Sequence, residues 1–284
     1  MATMHPKDKQ PLKIFVIMLM AMTSLLASCS GKTAPHRRAD IMEGAPNFRD
    51  LGGYPSANGK QTVWRKIFRS QTLAQLSDSD TAKIKELGIR TVIDFRGDDE
   101  VLKEPSRLPG GVNVIRLPIE AGSLNDSVDI MLLMMTGALD SARCAGFMQT
   151  ANRKFVTAFA PQYRAFFNIL LQPESYPVVF HCTAGKDRTG FAAAMLLSAL
   201  DVDWDTVMND YLLTNQYLKP LPLVPQIPKQ ALPALRLMGG VQPPYLNAAK
   251  DEITKRYGSI DCYLRKELNV GDTEKKQLRK CLLK

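Results

Sequence analysis

Residues 178–190 read Val-Val-Phe-His-Cys-Thr-Ala-Gly-Lys-Asp-Arg-Thr-Gly. The apolar run at 178–180 predicts a buried strand, and the run from Thr189 to Leu200 predicts a helix. Between them lies a loop of small and charged residues, the 182–188 loop, at the carboxyl end of the strand. Ligands of α/β proteins bind at this edge of the sheet. The stretch therefore predicts an α/β fold with a binding site at the 182–188 loop.

The rest of the chain predicts strands that alternate with helices. Further strands are predicted at 67–68, 91–95 and 112–117, and further helices at 77–87, 163–171 and 204–218. Ser77 and Asp80 form a capping box at the start of the first helix, and Gly88 is suited to end it. A helix followed by a strand implies crossover connections and parallel pairing. We predict a three-layer α/β domain at 45–284, with a mostly parallel central sheet flanked by helices.

Two segments interrupt this alternation. Residues 123–160 are rich in Met, Leu and Ala and favour irregular helices, which would form either core or a mobile cover. Five prolines between Pro220 and Pro233, followed by Pro243-Pro244, predict that this region has no regular structure. From Tyr245 onward the pattern is helical again.

The N-terminus predicts export and a membrane anchor. Three lysines precede an apolar run at 14–22, which is shorter than the about 20 apolar residues that span a bilayer. The sequence Leu-Ala-Ser-Cys ending at Cys29 resembles the bacterial lipoprotein box, so we predict a lipoprotein signal peptide at 1–28 and lipidation of Cys29. Residues 29–44 would form a flexible tether. The predicted location is the extracytoplasmic side of a bacterial envelope membrane. A plain signal peptide with an incidental cysteine is the alternative.

Charge and composition limit the partners. The chain carries a formal net charge of +9, and loss of residues 1–28 would leave +7. This balance fits an anionic substrate or an acidic membrane, although it is also common on solvated surfaces, and no nucleic-acid partner is predicted. The later cysteines lack metal-binding spacing and only His36 and His181 follow the signal, so no metal or other cofactor is predicted. A Cys262–Cys281 disulfide is compatible with an oxidising compartment but does not follow from the sequence.

The 182–188 loop has the chemistry of an anion site. At a helix N-terminus, backbone N–H groups converge and the positive end of the helix dipole attracts a phosphate dianion. Thr183, Ala184 and Gly185 belong to this loop, and Lys186 adds a cation. Arg188 can hold two phosphoryl oxygens in a bidentate fork. These residues predict a phosphate-binding site.

Cys182 predicts that this site is catalytic. The same positive field, together with Lys186 and Arg188, favours the thiolate, which is a nucleophile near neutral pH. Thr189 could donate its hydroxyl to the sulfur and ease its departure in a second step. His181 is predicted to fix the loop through hydrogen bonds and not to serve as the base.

Three other kinds of phosphate site fit these residues less well. A nucleotide-binding P-loop needs glycine where Phe180 lies and Ser or Thr where Asp187 lies. A metallophosphatase typically has more histidines than this sequence supplies, although carboxylates could contribute. A non-catalytic phosphate-binding module does not need a nucleophile beside the arginine, and it stays the alternative function.

Three sequence blocks carry a resemblance to a known family. They read Asn-Phe-Arg-Asp-Leu-Gly-Gly at 47–53, Val-Ile-Asp-Phe-Arg at 92–96 and Ala-Gly-Lys-Asp-Arg-Thr-Gly at 184–190. His-Cys-x5-Arg-Thr-Gly is the signature of cysteine-dependent tyrosine and dual-specificity phosphatases. Together the blocks resemble the atypical bacterial secreted tyrosine/lipid phosphatase family, and nothing after about residue 220 adds to the resemblance.

The resemblance implies a function and roles for further residues. It implies hydrolysis of phosphotyrosine, and of phosphoinositides or inositol phosphates, through a cysteinyl-phosphate intermediate. In the loop it implies phosphoinositide recognition by Lys186 and general-acid catalysis by Asp187. Asp94 would orient Lys186 or Arg188, or else only cap its strand. Residues 123–160 would form a lid, as helices do in that family.

Charged residues outside the loop are given other roles. Arg49, Asp50 and Arg69 are predicted to form structural ion pairs. Asp126 and Asp129 lie in the predicted lid and would reach a leaving group only if that segment closed, whereas Asp187 is tied to the loop.

Overall fold

Most of the strands form where short apolar runs predict them. The computed structural model describes residues 38, 42–120, 132–133, 135–136, 138–218, 228–229 and 232–284. The strands within this part are β1 Arg49–Asp50, β2 Ile67–Ser70, β3 Thr91–Asp94, β4 Asn113–Arg116 and β5 Val178–His181. They form one sheet in the order β1-β2-β5-β3-β4. β1 is antiparallel to β2 and the other neighbours are parallel, which confirms the mostly parallel sheet.

The register brings polar residues together at one edge of the sheet. His181 ends β5, and it pairs with Ser70 on β2 and with Asp94 on β3. All three are the last residues of parallel strands, so they share the carboxyl edge. Cys182 follows His181 directly and is therefore delivered to the middle of this edge.

Helices surround the sheet. In chain order they are α1 Asp78–Glu86, α2 Asp98–Lys103, α3 Ser141–Thr157, α4 Ala160–Leu170, α5 Arg188–Ala199, α6 Trp204–Leu212, α7 Thr214–Tyr217, α8 Leu232–Gly239, α9 Pro243–Tyr257, α10 Ile260–Lys266 and α11 Asp272–Leu282. A 3-10 turn covers Pro173–Ser175. The helix predicted at 204–218 is thus divided at Leu213 into α6 and α7.

The ends of α1 follow the predicted local chemistry. The Ser77 side chain accepts a hydrogen bond from the Asp80 amide, and the Asp80 carboxylate accepts one from the Ser77 amide at 3.1 Å. Gly88 adopts φ +65° just after the helix, a conformation that glycine tolerates without steric cost. Side-chain capping therefore replaces the missing intrahelical partners at this N-terminus.

Alternate strand residues pack into two different cores, which confirms the three layers. Val178 and Phe180 of β5 join the cluster that contains the α4 and α5 side chains. Val179 joins a second cluster with Ile84 of α1. Because successive strand residues point to opposite faces, the sheet is covered by helices on both sides.

The described part of the predicted lid packs in two separate hydrophobic clusters. Cys144 on α3 packs with Leu139 and Ala234 in a small third cluster that joins α3 to α8. Phe155, near the other end of α3, is fully buried in the main core, with its ring centroid 5.9 Å from that of Phe191. The lid predicted at 123–160 therefore does not extend through Phe155, because aromatic packing makes that end part of the domain core.

The proline-rich region is more regular than predicted. α8 includes Pro233 at its second position, and α9 begins with Pro243 and Pro244. Proline is tolerated in the first turn of a helix, because the amide it lacks would have no intrahelical partner there. The prolines therefore mark helix starts at these two places.

The folded domain begins earlier than residue 45. Met42 is buried in the second core cluster, and the Glu43 and Gly44 amides donate hydrogen bonds to Asp80. Residues 42–44 therefore belong to the domain and not to a tether. The predicted signal peptide, Cys29, Asp126 and Asp129 lie outside the described residues. Among the helices that are described, none is long and apolar enough to cross a membrane.

Candidate active site

The 182–188 loop turns sharply between β5 and α5. Cys182 is 2% exposed at the loop entrance, and Arg188 begins α5 at the exit. Gly185 adopts φ +67°, and a Cβ there would lie 2.3 Å from the Ser70 carbonyl oxygen. Only glycine fits this close approach, so the loop wraps tightly over the end of β2.

Arg188 is held by a carboxylate that the sequence analysis did not single out. Its Nη1 lies 2.6 Å from Glu100 Oε2 and its Nη2 lies 2.8 Å from Glu100 Oε1. Nη1 also donates to the Ile119 carbonyl at 3.1 Å, and the Thr183 hydroxyl donates to Glu100. This bidentate pair fixes the plane of the guanidinium group at the mouth of the loop.

Electrostatics keep this pair ionised. Burial favours the neutral acid, but the hydrogen bonds and charge of Arg188 outweigh it and lower the pKa of Glu100 to about 2. Burial also disfavours the charged guanidinium, yet Glu100 raises the pKa of Arg188 above its usual value. Arg188 therefore stays a cation, and Glu100 an anion, near neutral pH.

Lys186 and Asp187 form an ion pair within the loop. Lys186 Nζ lies 2.7 Å from Asp187 Oδ2, and the two side chains are 10% and 18% exposed. The other oxygen of Asp187 is buried and has no hydrogen-bond partner among the described residues. In this state the ammonium charge of Lys186 is largely compensated by its neighbour.

Asp94 and His181 are neighbours at the carboxyl edge of the sheet, where the 182–188 loop begins. Asp94 accepts hydrogen bonds from the Arg96 amide at 2.9 Å and from Arg96 Nη2 at 2.8 Å, and these lower its pKa although burial opposes them. Asp94 Oδ2 lies 3.7 Å from His181 Nε2. Burial lowers the pKa of His181, and the ring nitrogen Nδ1 lies 3.2 Å from the Cys182 carbonyl oxygen. The expected contact of Asp94 with Lys186 or Arg188 is absent from the described residues, because Arg96 occupies the carboxylate.

The remaining predicted residues lie where the loop meets the core. The Thr189 hydroxyl is buried without a hydrogen-bond partner in the part of the chain that the structure describes. Arg49 and Arg69 pair with Asp210 at 3.1 and 2.7 Å, which confirms their prediction as structural ion pairs. Asp50 accepts hydrogen bonds from the Gly52 and Arg65 amides.

The described cysteines are free thiols, and this applies to Cys262 and Cys281 as well as to the buried Cys144 and Cys182. The described residues contain no group of three or more Cys, His, Asp or Glu side chains that could hold a metal ion. The 182–188 loop itself offers a thiol beside a fixed guanidinium and a helix N-terminus.

The chain is similar in sequence to known phosphatases. A family model described as "Tyrosine phosphatase family" matches residues 41–284. A protein of Cupriavidus necator whose name places it among tyrosine-protein phosphatases is 31% identical over 232 residues, covering 79% of this chain and 82% of that protein. The triple specificity protein phosphatase PtpB of Mycobacterium tuberculosis is 29% identical over 277 residues, covering 85% of this chain and 98% of that protein.

Similarity to solved structures is weaker. The crystal structure of TpbA from P. aeruginosa in complex with pTyr covers 54% of this chain and 70% of that chain, at 18% identity and a TM-score of 0.28. This value is too low to support a conclusion about substrate.

Proposed function

This chain belongs to the tyrosine phosphatase family and is an enzyme of that type, and we propose that it hydrolyses phosphotyrosine through a cysteinyl-phosphate intermediate on Cys182. The observation that carries the proposal is the position of Cys182. Its sulfur lies at the start of a loop that ends on a helix N-terminus, with Arg188 fixed by Glu100 at the other end. A phosphoryl group at the loop would meet a nucleophile and a fixed guanidinium cation together.

The proposed reaction has two steps. In the first, the Cys182 thiolate attacks phosphorus, the S–P bond forms, and the ester P–O bond breaks while Asp187 gives a proton to the leaving oxygen. In the second, water attacks phosphorus, the S–P bond breaks, and inorganic phosphate leaves with the thiolate restored. Asp187 would take the proton from that water. Throughout, Arg188 and the loop amides would stabilise the charge on the equatorial oxygens.

We also propose activity on inositol-lipid phosphates, with Lys186 as the residue that favours them. Lys186 is a second cation beside Arg188, and its partner Asp187 is the proposed proton donor. When Asp187 is protonated, the Lys186 charge becomes available to the substrate. A headgroup with several phosphates presents more negative charge than Arg188 alone can compensate.

Lys186→Ala is expected to reduce phosphoinositide hydrolysis about tenfold more than hydrolysis of a phosphotyrosyl peptide, because only the lipid headgroup uses the second cation. The measurement is kcat/KM on both substrates in EDTA, with Lys85→Ala on the exposed face of α1 as the matched control. Equal losses on the two substrates would mean that Lys186 serves the loop or the chemistry in general. Absence of turnover by the wild-type protein in EDTA would contradict the proposed metal-free reaction itself.

For location, we propose that Cys29 carries lipid and holds the phosphatase domain at the extracytoplasmic face of a membrane. Two or more acyl chains give stable anchoring, whereas one gives marginal binding. Mass spectrometry of the mature protein should show a lipidated N-terminal Cys29, and Cys29→Ala should move the protein from the membrane to the soluble fraction with its kcat unchanged. A mature N-terminus elsewhere, with Cys29 removed or unmodified, would refute this proposal.

A further inference from the structure

Three carbonyl groups of the 182–188 loop, those of Thr183, Ala184 and Gly185, accept hydrogen bonds from groups elsewhere in the fold. The Thr183 carbonyl accepts one from the Thr72 amide at 2.9 Å. Asn47 Nδ2 donates to the Ala184 carbonyl at 2.9 Å and to the Gly185 carbonyl at 3.2 Å. Three consecutive loop carbonyls are thus tied to groups beneath the loop.

Fixing these carbonyls also fixes the amides that follow them. In a trans peptide the C=O and the next N–H point in opposite directions, because the group is planar. A carbonyl held inward at Ala184 therefore turns the Gly185 N–H outward, and one held inward at Gly185 turns the Lys186 N–H outward. These N–H groups are the donors that an anion at the loop would meet.

A second donor acts on the same loop from β2. Arg69 Nη2 donates to the Gly185 carbonyl at 2.8 Å, and Arg69 Nη1 lies 2.7 Å from Asp210 Oδ2. Burial and the neighbouring charge of Arg49 lower the pKa of Arg69 to about 10, so the guanidinium remains protonated near neutral pH. Arg69 and Asn47 therefore clamp Gly185 from two sides.

Both clamping residues are held by a buried network. Arg49 Nη1 donates to Asn47 Oδ1 at 2.5 Å, which leaves the Asn47 amide group facing the loop. Arg49 Nε and Arg69 Nη1 converge on the carboxylate of Asp210, and the side chains of Asn47, Arg49, Arg69 and Asp210 are at most 1% exposed. One carboxylate between two guanidinium groups leaves an excess of positive charge beneath an anion site, which favours an anion on the other side of the loop.

We propose that Asn47 and Arg69, held by Arg49 and Asp210, are positioning residues that set the 182–188 loop for phosphate by turning its amides outward. This inference rests on the proposed function of the loop as a phosphate site. It assigns a role to the Asn-Phe-Arg-Asp block at 47–50, which lies far from the loop in the sequence. The clamp acts on ground-state and transition-state phosphate alike, so it affects KM more than kcat.

The test compares two variants that release the clamp in different ways. Asn47→Ala removes both amide hydrogen bonds, and Arg69→Lys keeps the charge but replaces the two-nitrogen fork that bonds Gly185 and Asp210 with a single ammonium nitrogen. In each, the inhibition constant of inorganic phosphate and the KM for an aryl phosphate are expected to rise about tenfold, with a smaller change in kcat. Asn152→Ala is the matched control, because Asn152 is also fully buried and its amide donates to a backbone carbonyl, that of Met148 in its own helix.

The outcomes separate this inference from the proposed function. Wild-type protein that neither binds phosphate nor hydrolyses the aryl phosphate would contradict the proposed function. The clamp is overturned by a different result. In that case the wild-type protein binds phosphate and hydrolyses the aryl phosphate, and folded Asn47→Ala and Arg69→Lys have the same inhibition constant for phosphate as wild type. The clamp is also overturned if Asn152→Ala weakens phosphate binding as much, or if Asn47→Ala and Arg69→Lys both fail to fold, since the network would then serve stability alone.

Discussion

Substitution of Cys182 by serine is expected to abolish turnover of an aryl phosphate, with a loss of about 10³-fold or more, while phosphate binding persists. A serine hydroxyl is not appreciably ionised at neutral pH, so the positive field of the loop has no anionic nucleophile to stabilise. The substitution removes little volume, and Cys182 is 2% exposed, so the loop and the Arg188–Glu100 pair should keep their geometry.

The measurement combines steady-state kcat with the inhibition constant of inorganic phosphate, and with acid-quench trapping of phosphate on the protein. Wild type should show label on Cys182 and the serine variant none. Cys262→Ser is the matched control, because Cys262 is a free cysteine on α10, outside the loop. Turnover by Cys182→Ser close to that of wild type would exclude a cysteinyl-phosphate mechanism.

The sequence alone predicts the loop and the elements beside it because their determinants are local. The apolar run of β5, the small residues after Cys182 and the helical pattern of α5 lie within about two dozen positions. The same holds for α1, where Ser77 caps one end and Gly88 follows the other. In these places propensity, pattern and capping agree, so one structure is favoured.

The partners of the loop were not predictable in this way. Glu100 and Arg188 are 88 positions apart, and Arg69 and Asp210 are 141 positions apart. Which charge meets which depends on the strand order and on where each helix starts, and neither follows from spacing along the chain. A weak signal for Glu100 existed, since Asp98, Asp99 and Glu100 follow the strand that neighbours β5.

The prediction of no regular structure in the proline-rich region was wrong for a different reason. Proline excludes a helix interior but favours a first turn, so the same residue predicts either no helix or a helix start. Pro243 and Pro244 open α9, whose buried face joins the main core through Leu246 and Ile253. Tertiary burial of that face decides the outcome, and a single sequence does not reveal the surface that will cover it.

Asp187→Asn should slow hydrolysis of substrates with poor leaving groups by about 10²-fold or more, because a positioned general acid contributes at least that much. Lys186 Nζ lies 2.7 Å from the Asp187 carboxylate, so the proposed proton donor is ion-paired in this structure. A bound phosphate dianion would attract Lys186 and draw it away from that carboxylate.

Leaving groups of graded acidity distinguish Asp187 from the other carboxylates. Loss of the general acid slows the hydrolysis of substrates with poor leaving groups most. The ratio of the wild-type rate to the Asp187→Asn rate should therefore increase as the leaving-group pKa rises. Asp94→Asn should slow all substrates alike, since Asp94 is bonded to Arg96 beneath the loop. Two other candidates for the general acid are tested in parallel with Glu120→Gln and Asp129→Asn. Glu120 is exposed and comes directly after Ile119, whose carbonyl accepts a hydrogen bond from Arg188. If only Glu120→Gln or Asp129→Asn shows a rate loss that grows with leaving-group pKa, the general acid lies in the segment after β4. If Asp187→Asn slows all substrates equally, Asp187 shapes the loop and is not the acid.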